Sequence, residues 1–327
     1  AKPEEIFCTS GGSESDNWAL RGVAAAQGSK GRHIITSKIE HPAVLNTAKD
    51  LEKAGFRVTY LDVDADGVVN LDQLKDALSP DTILVSIMAA NNEIGTLQPI
   101  EEIGRIVKEN SKAAFHVDAV QAIGAIEVNL EKWKDVDLLS LSGHKFYGPK
   151  GVGALYCRRG IPLTNLIEGG AQEGGKRAGT ENVPGIVGMA AAFEEACAHM
   201  EANAAKVSAM RDRLIDGLLE IPESILNGHR TKRLPGNVNF CFKGIEGESM
   251  LLLLNSMGIA ASSGSACTSG SLDPSHVLLA VGCSRDEAQS SLRFSFGEEN
   301  TAEDIDYVVA EFARSVEYLR KLAAPGR

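Results

Sequence analysis

The chain has 327 residues, 43% of them hydrophobic and 24% charged, an ordinary globular composition with enough apolar mass for one large domain and a smaller one. A net charge of −11 with scattered basic residues excludes a nucleic-acid footprint, which needs clustered Lys and Arg. The longest apolar run, around Met250 to Leu254, is far short of the roughly 20 residues of a membrane helix, and AKPEEIFCTS lacks the basic and apolar segments of a signal peptide. A soluble cytoplasmic protein with no membrane partner is expected.

In chain order, FCTSGGSESDNWALRG reads as a strand, a glycine turn and a helix capped by Ser13, with Asp16 three residues on as its capping partner. A glycine turn at a helix N-terminus is a ready anion site. HIITS, FRVTYLDV, TILVSIM, AAFHVDA, DLLSLSG and GVGALYC then follow as short β-branched runs separated by helical patterns, which predicts βαβ units and a mostly parallel sheet with helices on both faces. Ligands of such sheets lie beyond the carboxyl ends of the strands, so the polar residues there carry the chemistry. From Pro184 an alanine-rich helical pattern runs to about Glu220 and links the two domains. Beyond it VNFCF, GESMLLLLNSMG, HVLLAVG, SLRFSFG and a last helix from Ala302 make a smaller α+β unit. The expected division is 1–203 and 204–327.

Two motifs fail on inspection. DVDADG at 62–67 opens like a calcium loop, but Gln73 stands where a bidentate Glu is required, so it reads as a strand end entering a turn. GAQEGGK at 170–176 has phosphate-loop spacing, but Arg177 replaces the magnesium-binding Ser or Thr and no strand leads in.

The cysteines, at 8, 157, 197, 241, 267 and 283, contain no C-x-x-C and no His at zinc-ligand spacing, so neither a metal site nor a disulfide framework is expected. Cys8, Cys157 and Cys241 lie in strand-like runs and read as core residues. Cys267 is different. In SSGSACTSGS only small residues surround it, which is the setting of a thiol carried on a solvated loop.

FHVDAVQA places Asp118 just past a strand, with Gln121 three residues on, and LSLSGHKFYGPKG places Ser142, His144 and Lys145 at another strand end. A lysine can form a Schiff base with an aldehyde cofactor, and an aspartate can pair with the ring nitrogen of pyridoxal phosphate. A phosphate turn, an aspartate and a lysine in that order fit such a site.

The motifs SGGSESDN, ANNEIGTLQPI, HVDAVQA, SGHKFYGPKG, RAGTENV, SSGSACTS and SLRFSFG, in this order from end to end, resemble those of the cysteine desulfurases (the NifS/IscS family) among the fold-type I pyridoxal-phosphate enzymes of the class V aminotransferase superfamily. The resemblance implies pyridoxal 5'-phosphate as cofactor, L-cysteine as substrate, a homodimer and a sulfur-acceptor protein such as an iron-sulfur scaffold. It implies that Lys145 carries the cofactor, that His41 stacks on its ring and helps move protons, that Asp118 holds the ring nitrogen and that Gln121 meets the ring oxygen. Gly12, Ser13, Ser142 and His144 would hold the phosphate, and Thr180 would reach the phosphate of the other subunit. Asn92 and Arg293 would bind the substrate carboxylate, and Cys267 would be the nucleophile that receives the sulfur. The residues from Ser262 to Pro274 resemble the long loop of the branch that feeds iron-sulfur assembly. The family pattern also implies a preceding segment with a YLDNAATT-like motif and a first helix, whereas this sequence opens at the strand before the glycine turn.

Two rivals are set against this reading. A class V aminotransferase or selenocysteine lyase of the same fold is one, and an aminotransferase has no need of Cys267. A non-catalytic sulfur carrier or scaffold is the other, and Lys145 with Asp118 argues against it.

Overall fold

The computed structural model describes residues 1–263 and 273–323, so Cys267 lies outside the described residues. Contacts divide the chain into two compact units. One comprises Ala1–Val63, Val69–Ala90 and Gln98–Met200, the other Asp64–Val68, Asn91–Leu97 and the chain from Glu201 onward.

The first unit runs β1 (Ile6–Thr9), α1 (Gly12–Gln27), β2 (His33–Ser37), α2 (Pro42–Lys53), β3 (Arg57–Leu61), α3 (Leu71–Ala77), β4 (Thr82–Met88), α4 (Ile100–Asn110), β5 (Ala114–Asp118), β6 (Leu138–Ser142), β7 (Gly153–Cys157), the short α5 (Gln172–Gly175) and the start of α6 (Val183–Leu219). Its seven-stranded sheet has the order β1-β7-β6-β5-β4-β2-β3. The strands β3, β2, β4, β5 and β6 pair in parallel, and β7 enters antiparallel between β6 and β1.

Both faces are covered, which is why β2, β4 and β5 are buried throughout rather than alternating. Side chains of successive strand residues point to opposite faces. Accordingly Leu84, Ala114 and Leu138 join Trp18, Leu20 and Val23 of α1 on one face, while Val85, Phe115 and Leu139 join Ile103 and Val107 of α4 on the other. α4 buries Ile100, Ile103, Gly104, Ile106 and Val107, the three-and-four spacing of an amphipathic helix. Trp18, fully buried, satisfies its indole N–H on the Thr164 carbonyl at 2.9 Å.

The second unit continues with β8 (Ser224–Asn227), β9 (Asn237–Phe242), α7 (Gly247–Ser256), α8 (His276–Ala280), α9 (Arg285–Gln289), β10 (Ser291–Ser295) and α10 (Ala302–Ala323). The sheet is antiparallel, in the order β10-β9-β8, and β9 is buried along its whole length. Phe240, Phe242 and Phe294 pack with Phe312 of α10 into an aromatic core, Phe242 and Phe312 having ring centroids 4.5 Å apart. Two elements escaped the sequence reading. β8 is only four residues of mixed burial, and α9 is one turn, held by a capping box between Ser284 and Glu287.

The DVDADG stretch is a turn, as its failed calcium pattern required. The Asp64 carboxylate accepts the N–H groups of Asp66 and Val68, and Gly67 takes φ +82°.

Candidate active site

Helix α1 starts at Gly12 with Gly11 as N-cap at φ +148°, and no side chain caps it. The expected Ser13 cap is therefore corrected. Ser13 is exposed in the first turn, while the Glu14 carboxylate takes the Ser10 N–H at 2.8 Å and pairs with Arg177 at 2.8 Å. Asp16 is no capping partner either, because α1 turns it inward, 1% exposed. Position 12 is closely packed, since a Cβ there would stand 2.6 Å from Val120 Cγ2 and would make Val120 or the turn shift. Ser142 closes in on the same turn, its Oγ 3.5 Å from where a Cβ of Gly11 would be and 3.0 Å from His144 Nδ1. The glycine turn, Ser142 and His144 thus gather at the N-terminus of a 16-residue helix, where backbone N–H groups and the helix dipole favour an anion.

Lys145 lies in a 3-10 turn, Gly143–Phe146, directly after β6. The turn is fastened by Gly143 N–H to the Val152 carbonyl at 3.0 Å and Gly148 N–H to the Gly143 carbonyl at 2.9 Å. Tyr147 sits left-handed at φ 65°, a strained conformation for a residue with a side chain. The neighbouring strand β5 ends at Asp118, buried, whose carboxylate accepts the Val120 N–H at 2.9 Å. Burial pushes Asp118 up to about 6, against the opposing pull of the Val120 N–H and the Lys145 ammonium. Gln121 is half-buried in the turn that follows.

His41 caps α2, its Nδ1 accepting the Ala43 N–H at 3.1 Å. This both fixes the ring and leaves the ring proton of the neutral form to Nε2. Thr180 is exposed and lines a pocket with Cys8, Thr9, Ser10, Glu173 and Arg177. Cys8 is half-buried rather than a core residue, and burial together with the Glu173 carboxylate pushes its thiol up to about 11.

In the second unit, Asn92 and Arg293 meet. Arg293, in the edge strand β10, donates from Nη1 to the Asn92 carbonyl at 3.1 Å, and Asn237 Nδ2 donates to the same oxygen at 3.2 Å. The backbone of Arg293 pairs with Ser262 in both directions, at 2.7 and 3.1 Å. Ser275, beyond the undescribed residues, caps α8 and donates to the Glu93 carboxylate at 2.5 Å.

Sequence reasoning missed a buried polar layer beside Asp118. His116, on the same strand face two residues earlier, holds Ser86 Oγ at 2.8 Å and Ser140 Oγ at 2.9 Å and lies 3.7 Å from Asp16 Oδ1. Burial alone lowers His116 to about 3, so it is neutral. Glu40, fully buried, accepts from Ser37 Oγ at 2.6 Å and Met88 N–H at 3.0 Å, and burial raises it to about 8. Asp16 is pushed up by burial and by the Asp118 charge. The available signal was the spacing of His116 and Asp118, two apart on a strand that is buried throughout.

The donor set suits a group with a phosphate at one end and a basic ring nitrogen at the other. An uncapped helix N-terminus that begins at a closely packed glycine would suit the phosphate. A buried aspartate raised to about 6 gains a cationic partner from a protonated ring nitrogen.

Comparison with known proteins agrees. The family described as "Aminotransferase class-V" matches residues 1–308. The cysteine desulfurase IscS of Methanosarcina thermophila is 57% identical over 323 residues, covering 99% of this chain and 80% of that protein. The cysteine desulfurase IscS of Clostridium botulinum strain Hall is 55% identical over 326 residues, covering 99% and 82%. A solved NifS-like protein superposes with a TM-score of 0.91 at 44% identity, covering 97% of this chain and 84% of that one. The chain belongs to the class V aminotransferase family and, within it, to the cysteine desulfurases, enzymes of the pyridoxal-phosphate fold type I.

Proposed function

We propose that this protein uses pyridoxal 5'-phosphate to take sulfur from L-cysteine, leaving L-alanine and a persulfide on Cys267, and that the sulfur then passes to an acceptor protein such as an iron-sulfur scaffold. The observation that carries the reading is the buried Asp118 at the end of β5, in electrostatic reach of Lys145 in the turn that follows the adjacent strand β6. When bound, the cofactor supplies an electron sink that weakens bonds at the substrate's reacting carbons.

The chain's own residues divide the remaining work. Gly12, Ser13, Ser142 and His144 would hold the phosphate, Asp118 the ring nitrogen and Gln121 the ring oxygen, with His41 as a further partner of the ring. Lys145 would anchor the cofactor, and its amine would serve as general base for a proton at the substrate α-carbon. Asn92 and Arg293 receive the substrate carboxylate, for which the guanidinium fork is suited. Cys267, as thiolate, attacks the substrate sulfur. The carbon–sulfur bond breaks, the sulfur stays on Cys267, and the carbon takes a proton to become alanine. Residues 1–203 serve the cofactor in this division of labour, and 204–327 carry Cys267.

The protein acts as a homodimer in which Thr180 reaches the phosphate of the other subunit. Supporting this, Tyr147, Val183 and Val187 are 75%, 59% and 62% exposed, apolar surface that a second copy would cover. A cytoplasmic setting is the one in which thiols such as Cys8, Cys157, Cys197, Cys241 and Cys283 stay reduced, which supports this reading.

The test is release of alanine and sulfide from L-cysteine, under a reducing agent, by the protein and its Cys267→Ala variant. Equal amounts from the first and none from the second, with the variant still binding cofactor, are expected. Sulfide from both would refute the nucleophile and favour a lyase on the same fold.

A further inference from the structure

Cys241 and Cys283 are far apart in sequence, in no recognisable motif, yet the second unit brings them to one side chain. Asn227 of β8, 3% exposed, donates from Nδ2 to Cys241 Sγ at 3.1 Å, and Cys283 Sγ donates to Asn227 Oδ1 at 3.4 Å. The two sulfurs thus sit at the two ends of one side-chain amide. Cys241 sits near the end of β9, the central strand, opposite Ile225 of β8 and Ser291 of β10, and is 1% exposed. Cys283 is half-buried in the turn between α8 and α9.

We propose that Cys241 and Cys283 form a dithiol modification site, distinct from Cys267, that small disulfides oxidise reversibly to an intramolecular disulfide.

The two thiols are unlike, and the difference assigns their roles. Cys283 is half-buried in a turn, within reach of a small disulfide, whereas Cys241 is 1% exposed within β9. The more accessible sulfur is thus the attacking thiolate, and the buried one keeps its proton until it is needed. Cys283 thiolate attacks one sulfur of a disulfide RS–SR, breaking that bond and releasing RS⁻ while Cys283 becomes a mixed disulfide. Cys241 then gives up its proton and attacks the Cys283 sulfur, expelling the second RS⁻. Two electrons pass from the pair to the oxidant, and a reducing thiol reverses both steps. The bridge would tie the α8–α9 turn to the central strand and enclose the chain between them, which includes Cys267.

The experiment treats the reduced, cofactor-loaded protein with glutathione disulfide, blocks remaining thiols with an alkylating agent at low pH, and maps the peptides by mass. The expected product is a Cys241–Cys283 linked peptide, two hydrogens lighter than its reduced parts and restored by dithiothreitol. Cys241→Ser should instead leave Cys283 carrying one glutathionyl group, and Cys283→Ser should leave Cys241 unmodified. The same bridge should form in Cys267→Ser. Glutathione stably attached to Cys283 of the unaltered chain with Cys241 still alkylatable, no modification at either residue, or a bridge lost in Cys267→Ser would each overturn the proposal.

Discussion

Arg293 Nη1 donates to the Asn92 carbonyl at 3.1 Å, while the backbone of Arg293 is paired to Ser262. One residue of β10 therefore reaches both the turn that holds Asn92 and the chain leading towards Cys267. In this setting the guanidinium is oriented by a backbone carbonyl. Arg293→Lys keeps the charge but loses the two-pronged geometry. The expected result is a fall in kcat/KM for L-cysteine of about 10- to 100-fold, corresponding to roughly 1.5–3 kcal/mol of charge-assisted hydrogen bonding, carried mainly by KM. An unchanged KM in steady-state kinetics would remove Arg293 from substrate binding.

Lys145 and Asp118 are expected to separate in their effects. Lys145→Ala removes the amine that anchors the aldehyde, so the variant mixed with pyridoxal phosphate should lack the visible band of a lysine-bound cofactor. Asp118→Asn keeps that lysine but loses the carboxylate that stabilises a protonated ring, so it should retain a band and lose turnover by about 100-fold or more, the loss of an electrostatic contribution of roughly 3 kcal/mol. Absorption spectra and alanine release distinguish the two. A Lys145→Ala protein with both the band and activity would refute the anchor.

The buried carboxyls give stability a definite pH dependence. Glu40 is raised from 4.5 to about 8, so the native state holds a proton that the unfolded chain loses, and stability falls as pH rises between these values. His116 works in the opposite sense. Lowered from 6.5 to about 3, it is neutral when folded, and its contribution is lost as pH falls through that range. Above pH 6.5 His116 no longer offsets Glu40. Glu40→Gln keeps an acceptor for Ser37 and Met88 but removes the ionisation. Its stability should therefore gain on the unaltered chain by about 1.4 kcal/mol per pH unit from 6.5 towards 8, measured without added cofactor. Parallel stability curves would show that Glu40 does not titrate in this window.

Strand runs such as TILVSIM and AAFHVDA announced a sheet covered on both faces, because a strand buried on both sides has no polar alternation to hide it. Asp118, Ser142 and Lys145 were legible for a related reason, each being a polar residue at the end of such a run. Ser13 misled the reading since Ser at a helix start normally caps, whereas the tightly packed glycine turn puts the cap two residues earlier, at Gly11. Asp16 was hidden by the same error. Only packing shows that α1 turns it towards His116. That Cys241 and Cys283 share the Asn227 side chain depends on how β8, β9 and the turn between α8 and α9 pack, which no local pattern encodes.

Gly12 offers the sharpest test of the glycine turn. A methyl group at this position would lie 2.6 Å from Val120 Cγ2, closer than carbon atoms pack, so either the turn or Val120 must move. Overpacking of this kind costs about 1–3 kcal/mol, and moving the turn misaligns the backbone N–H groups meant for the phosphate. Gly12→Ala should accordingly bind pyridoxal phosphate about 10-fold or more weakly, a loss of roughly 1.4 kcal/mol, in a fluorescence or absorbance titration of the cofactor-free protein. Val120→Ala removes the clashing methyl groups. If the clash is the cause, Gly12→Ala with Val120→Ala should recover most of the lost affinity. A double variant as weak as Gly12→Ala alone would mean that the glycine is needed for close approach of the cofactor itself rather than for packing against Val120.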